Sequence, residues 1–183
     1  MAKLLASYKS YKPSDRCWLD GGYFNEVFAD YEGLVEDQIV ISIDSDLEGS
    51  LESIPNEFNL DSNRIVRVII DVDYGDFSAK HSNLIIIEPS TQSVYLFEPV
   101  SETLFHAIIR DHLLQYLADI TPNYHLIDLD VHPEVYDREC ASKGMCVAYV
   151  IKAALMFVLN KEISFSEDPN DIKRFAAAIE SNY

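Results

Sequence analysis

The chain has 183 residues, and its 14 Lys and Arg against 31 Asp and Glu leave a net charge of −17. That balance argues against a nucleic-acid-binding surface, which needs a cationic face to displace counterions from phosphates, and against docking on anionic lipid. Apolar residues at 48% and aromatics at 11% are too many for a disordered chain, and no apolar run reaches the ~20 residues of a membrane span.

The length fits a single domain over residues 1–183. Met1 to Pro13 interleaves Lys with Tyr and lacks a hydrophobic signal core, so an intracellular protein is expected. Cys17, Cys140 and Cys146 are an odd set without framework spacing, which points to a reducing compartment rather than a disulfide scaffold. Adding His125 and His132 does not give zinc-ligand spacing, so neither metal nor cofactor is expected.

Ser14 or Asp15 can cap a first helix over 16–31. Its apolar positions Leu19, Tyr23, Phe24, Val27 and Phe28 recur at three and four. Gly21 and Gly22 in its middle mark a break or a close approach. Residues 38–43 alternate as a short strand, and the acidic stretch 44–63 reads as a solvated loop. Arg64 to Val72 is a β-branched run, a buried strand. His81–Glu88 and Ser93–Phe97 are two further strands, joined by a link short enough for a hairpin.

A helix is expected over 102–120 after Ser101, followed by a strand over 124–131. Gly144 opens a strongly apolar helix to about Leu159, buried almost all round. A last helix begins near Pro169, a favoured first-turn residue. This order reads as α+β, a central and mostly antiparallel sheet packed against helices.

Gly144-Met145-Cys146 is the most informative stretch. A cysteine in the first turn of a buried helix sits where backbone N–H groups converge and the helix dipole is positive, and both favour thiolate. Most buried free cysteines are nonetheless small core hydrophobes, and the motif alone favours that plainer reading. A nucleophilic thiol needs a base, and the base needs an acceptor to orient it. His81 opens one strand of the hairpin and Glu98 closes the other, so the hairpin brings imidazole and carboxylate within hydrogen-bonding reach. The plainer alternative makes His81 a turn residue and Glu98 a solvated strand end.

Together, Trp18-Leu19-Asp20, His81, Glu98 and Gly144-Met145-Cys146 resemble the adenain-like and SUMO-protease-like cysteine peptidases. In that superfamily an early Trp-Leu-Asp helix precedes a strand-borne His, an acid one hairpin later and a Cys opening a central helix. Tyr95-Leu96-Phe97-Glu98-Pro99 resembles the adenovirus protease in its Phe-Glu-Pro. The blocks at 81–87 and 144–149 are similar to predicted peptidases of large DNA viruses. Two positions depart from the pattern. Ser82 follows His81 where the family commonly has Trp. The family's oxyanion Gln, several residues before the Cys, has no counterpart between Tyr116 and Cys146.

The resemblance implies a papain-like or adenain-like fold and a Cys146–His81–Glu98 triad. Trp18, Asn83 and Gly144 would border the substrate cleft. Arg138, Ser142 and Lys143 are the candidate oxyanion donors beside the Cys146 N–H. The implied activity is cleavage of a peptide or isopeptide bond in a viral precursor or a ubiquitin-like conjugate, in the cytoplasm or nucleus of a host cell or in a virion. The missing Gln and the acidic surface leave a second reading open: a catalytically weak or inactive protein of the same fold that binds virion or host proteins.

Overall fold

A computed structural model describes residues 2–14, 19–31, 33–35, 38–43, 49–53, 61–73, 78–99, 115, 118, 123–129 and 145–183. Within them, helix α1 is Ala2–Ser7, followed by a 3-10 turn at Tyr8–Ser10, and α2 is Tyr23–Phe28. The strands are β1 Ile39–Ile43, β2 Gly49–Ser53, β3 Arg64–Asp73, β4 Ser78–Glu88, β5 Ser93–Phe97 and β6 His125–Asp128. Helices α3, Cys146–Val158, and α4, Pro169–Asn182, close the chain.

The strands form one sheet in the order β2-β1-β3-β4-β5-β6. Pairs β1/β2, β3/β4 and β4/β5 are antiparallel, while β1/β3 and β5/β6 are parallel. The central pairs are built from β-branched side chains, whose stiff χ1 angles suit a pleated surface. Ile65, Leu84, Ile86 and Phe97 join the core formed with α3, α4 and α2. Ile85 and Ile87, opposite Leu96 and Val94 in the register, are buried together with those partners, so both faces of the centre are covered. Each such side chain stabilises the fold by about 1.5–3 kcal/mol.

The β4–β5 hairpin is closed by a 3-10 turn at Pro89–Thr91 and by Gln92 in the left-handed region, φ 50°. The Glu88 carboxylate fastens it, accepting from Thr91 Oγ1 at 2.7 Å and from Tyr95 OH at 3.1 Å. Helix α3 packs on β4 and is buried from Cys146 through Leu155. It ends in a Schellman motif: Asn160, at φ 51°, and Lys161 donate backward to the carbonyls of Phe157 and Met156. Asp168 caps α4, accepting from the Asn170 N–H at 3.0 Å, with Pro169 in the first turn.

Two sequence expectations change, and one element appears where the sequence pointed to none. Part of the acidic stretch, Gly49–Ser53, is an edge strand rather than loop, because β1 offers it a free ladder. The first helix starts only at Tyr23: residues 19 and 20 are non-helical and Gly21 and Gly22 form a turn. The N-terminal residues form α1, anchored by buried Leu4 and Tyr8. The helix expected over 102–120 lies outside the described residues except for 115 and 118, both helical. Among the described residues, no helix is long and apolar enough to cross a membrane.

Candidate active site

Strand β4 carries His81 near its start, and β5 ends one residue before Glu98. The antiparallel register pairs Leu84 with Phe97, so the next positions, Asn83 and Glu98, come opposite each other and His81 lies diagonal to Glu98. That places the imidazole Nε2 2.7 Å from Oε1 of Glu98. The carboxylate is 1% exposed and the imidazole 18%, so the pair is withdrawn from solvent on the acid's side and reaches the surface through the ring.

Cys146, the first residue of α3, hydrogen-bonds to the imidazole of His81, and its sulfur also accepts the backbone N–H of Ser82. Burial favours the neutral thiol. The hydrogen bond to His81, the positive charge on that ring and the Ser82 N–H outweigh it and hold the thiol below its ordinary 9.0, although the charge of Glu98 works the other way. For His81 burial likewise favours the neutral ring. Hydrogen bonds to Cys146 and Glu98 and the charge of both overcome it, raising the imidazole from 6.5 to about 10. Thiolate and imidazolium therefore stabilise each other, as an activated thiol requires. Cys146 itself is 1% exposed.

Beside this chain stands a group that the sequence reading missed. Arg67 of β3 donates from Nη2 and Nε to the Ser82 hydroxyl at 2.9 and 3.2 Å, and from Nη1 to the Gly21 carbonyl at 3.0 Å. A Cβ at Gly21 would collide with the guanidinium, so the close approach foreshadowed by the paired glycines is to Arg67. Burial lowers the guanidinium pKa, and the nearby charges of Cys146 and Asp20 support its cationic form.

The other expected site residues are placed as follows. Asn83 is fully buried and presents no surface to a substrate, which corrects its expected place in the cleft. Its amide has no hydrogen-bond partner among the described residues. Trp18 and Gly144, expected at the cleft, and Arg138, Ser142 and Lys143, expected as oxyanion donors, lie outside the described residues. Among the described residues, no group of three or more His, Cys, Asp or Glu could hold a metal ion.

No protein-family model matches the chain, and no curated protein matches it in sequence. Solved structures do match it in fold. The effector protein RavZ of Legionella pneumophila aligns with 93% of this chain and 68% of its own, at 8% identity and a TM-score of 0.51, a likeness of fold alone. The SUMO protease Ulp1 with its catalytic cysteine oxidised to a sulfenic acid aligns over 62% of this chain at 13% identity and a TM-score of 0.39. The C-terminal Ulp1 protease domain in complex with Smt3, the yeast ortholog of SUMO, aligns over 63% at 18% identity and a TM-score of 0.40. This chain spans about half of the Ulp1 chains it matches, 50% and 52%.

Proposed function

We propose that the protein is a cysteine peptidase acting on a protein substrate of ubiquitin-like type through Cys146, His81 and Glu98. The observation that carries this reading is the unbroken hydrogen-bonded chain from Glu98 to His81 to Cys146, with the thiol lowered and the imidazole raised. Residues that merely filled a core would need no such arrangement. The ubiquitin-like substrate rests on the motif resemblance at Trp18-Leu19-Asp20, Phe97-Glu98-Pro99 and Gly144-Met145-Cys146. A viral precursor in a host cell or virion is the other substrate that this resemblance admits.

In this mechanism the Cys146 thiolate adds to the scissile carbonyl carbon, and the electron pair moves to the carbonyl oxygen. The Cys146 N–H, together with a donor from Arg138, Ser142 or Lys143, holds that oxyanion. Imidazolium His81 gives its proton to the departing amine, leaving a thioester on sulfur. Neutral His81 then takes a proton from water, which attacks the thioester and releases the carboxylate product. Glu98 keeps the ring oriented and balances its charge throughout.

The test is a ubiquitin-like protein carrying a thiol-reactive group at its C-terminal glycine, together with a fluorogenic amide of the same protein. Wild-type protein should turn over the amide and take up the probe at Cys146, and Cys146→Ala should do neither. Turnover that survives in Cys146→Ala would overturn the reading. One observation favours a second reading, a binding protein with a dormant site: Cys146 is 1% exposed. Its signature would be a Cys146 that neither the probe nor iodoacetamide modifies at neutral pH, alongside stable binding of the partner.

A further inference from the structure

We propose that Arg67 is a positioning residue of the thiol site: clamped between the Ser82 hydroxyl and the Gly21 carbonyl, it fixes the strand segment whose N–H caps the Cys146 sulfur and sets a fixed cation beside that sulfur. The inference rests on the reading of Cys146 as the nucleophile, and it adds to that reading a device outside the three residues already named.

The geometry is specific. Antiparallel register pairs Arg67 with Leu84, so Arg67 lies diagonal to Ser82 and on the same side of the sheet. Ser82 is 1% exposed, and its hydroxyl takes two of the guanidinium's N–H donors. The third contact runs to the turn before α2, where only a glycine leaves room for it. A planar fork spanning three elements holds them in one arrangement, which the single-point ammonium of lysine cannot copy. A bulky residue in place of Ser82 would offer no hydroxyl to the fork, so the departure from Trp after His81 is what admits Arg67.

The charged and titratable groups that face the sulfur among the described residues are His81 from β4, Glu98 beyond β5 and Arg67 from β3. Asp20 faces the guanidinium from the turn before α2. Glu98 opposes ionisation of the thiol, and Arg67 adds a cation on the other side. A salt-screened surface charge would have little effect, but this guanidinium is half-buried and hydrogen-bonded in place.

The experiment follows the rate of Cys146 alkylation by iodoacetamide against pH in wild-type protein and in Arg67→Gln, Arg67→Lys, Ser82→Ala and His81→Ala. Arg67→Gln should raise the alkylation midpoint by about one pH unit, a roughly tenfold slower reaction on the acid limb. Arg67→Lys should recover part of that shift, because the charge returns and the fork does not. Ser82→Ala keeps the N–H and loses the hydroxyl, so it should shift the midpoint in the same direction by less, and it stands in if Arg67→Gln does not fold. A folded Arg67→Gln, or in its place Ser82→Ala, with reduced thermal stability and an unmoved midpoint would make the clamp purely structural and overturn the proposal. His81→Ala separates the two levels. If it moves the midpoint while the Arg67 and Ser82 variants do not, only the positioning role fails; if it too leaves the midpoint in place, the nucleophile reading fails with it.

Discussion

His81 turns Nε2 toward Glu98, 2.7 Å from Oε1, and so leaves Nδ1 as the ring nitrogen for the sulfur of Cys146. The acid thus selects the tautomer: with the Nε2 proton donated to a buried carboxylate, Nδ1 is the site that, in the proposed mechanism, takes the thiol proton and later delivers it. Glu98→Ala should remove both the orientation and the counter-charge. Because a positioned acid–base group is worth about 10²–10⁴ in rate, turnover of the fluorogenic substrate should fall about a hundredfold or more. Glu98→Gln keeps an acceptor for Nε2–H, so most of the orientation survives and the loss should be smaller. Equal losses in both variants would show that orientation is not what Glu98 supplies.

The pH dependence of activity follows from the same pair. In the proposed mechanism the active form requires thiolate and imidazolium together. Its acid limb is set by Cys146, which is lowered from 9.0, and its alkaline limb by His81, raised to about 10. The kcat/KM profile should therefore decline as pH rises near 10 and as pH falls through the lowered thiol titration. In Glu98→Gln the carboxylate no longer supports the imidazolium, so the alkaline limb should move down toward 6.5. An alkaline limb that stays fixed in that variant would place its origin elsewhere.

Stability should depend on pH through the same pair of groups. In the unfolded chain the imidazole titrates near 6.5 and the thiol near 9.0; in the fold the order is inverted, with the thiol lowered and the ring at about 10. Just below 9.0 the unfolded chain keeps its thiol proton and the fold its imidazolium proton, so each state holds one proton on the pair and its contribution does not change with pH there. Above 9.0 the unfolded chain has released both protons while His81 keeps one, so stability is lost as pH rises toward 10, with a slope of about 1.4 kcal/mol per pH unit. Urea unfolding of wild type minus Cys146→Ala across pH 5.5 to 10 isolates this contribution from the many other carboxylates. A difference that is independent of pH would contradict the inverted order.

How much of this was legible beforehand can be traced residue by residue. The β4–β5 hairpin was, because its strands are β-branched and Pro89 punctuates the link, and from the hairpin came the juxtaposition of His81 with Glu98. The start of α4 was legible through Pro169. Strand β2 was not: Gly49–Ser53 holds one large apolar residue, and its strand character comes from pairing with β1 rather than from local preference. Helix α1 is six residues long, too short to form without tertiary support, and its support is Leu4 and Tyr8 in the core. Arg67 left only a faint trace. It occupies the face shared by Ile65 and Ile69 in a buried run, and a charge in such a place signals a buried partner without naming it. Ser82 and Gly21 could be named only once the register was known.

Gly21→Ala tests how tightly the turn before α2 is held against the sheet. Alanine ordinarily stabilises a site whose backbone it fits, by reducing the freedom of the unfolded chain. Here the added Cβ meets the guanidinium of Arg67, which is tied at three atoms and cannot simply swing aside. The variant should be destabilised by about 1–3 kcal/mol, the usual cost of overpacking, and should slow Cys146 alkylation in step with Arg67→Gln. Combining Gly21→Ala with Arg67→Gln removes the clash, so the double variant should lose less than the sum of the two. Additive losses would show that the two side chains do not meet.

The middle of α3 carries a second buried ion pair, and it bears on stability rather than chemistry. Lys152 Nζ lies 2.5 Å from Oδ2 of Asp171, both side chains under 10% exposed, at 6% and 7%. The Tyr8 hydroxyl donates to the same carboxylate at 2.9 Å, and the ammonium sits 4.7 Å from the centre of the Tyr8 ring. The cluster joins the N-terminal turn, α3 and α4. Burial lowers the lysine's pKa, and the bond to Asp171 and that residue's charge counter it. Asp171→Ala would leave a desolvated ammonium without its partner, at a cost of about 3–5 kcal/mol. Replacing both residues, Lys152→Met with Asp171→Leu, removes the charges together and should cost far less, as exchanging a buried pair for apolar groups generally does. Chemical denaturation of the two variants decides the matter: a double replacement as damaging as Asp171→Ala would mean that the pair, and not merely its neutralisation, holds the helices together.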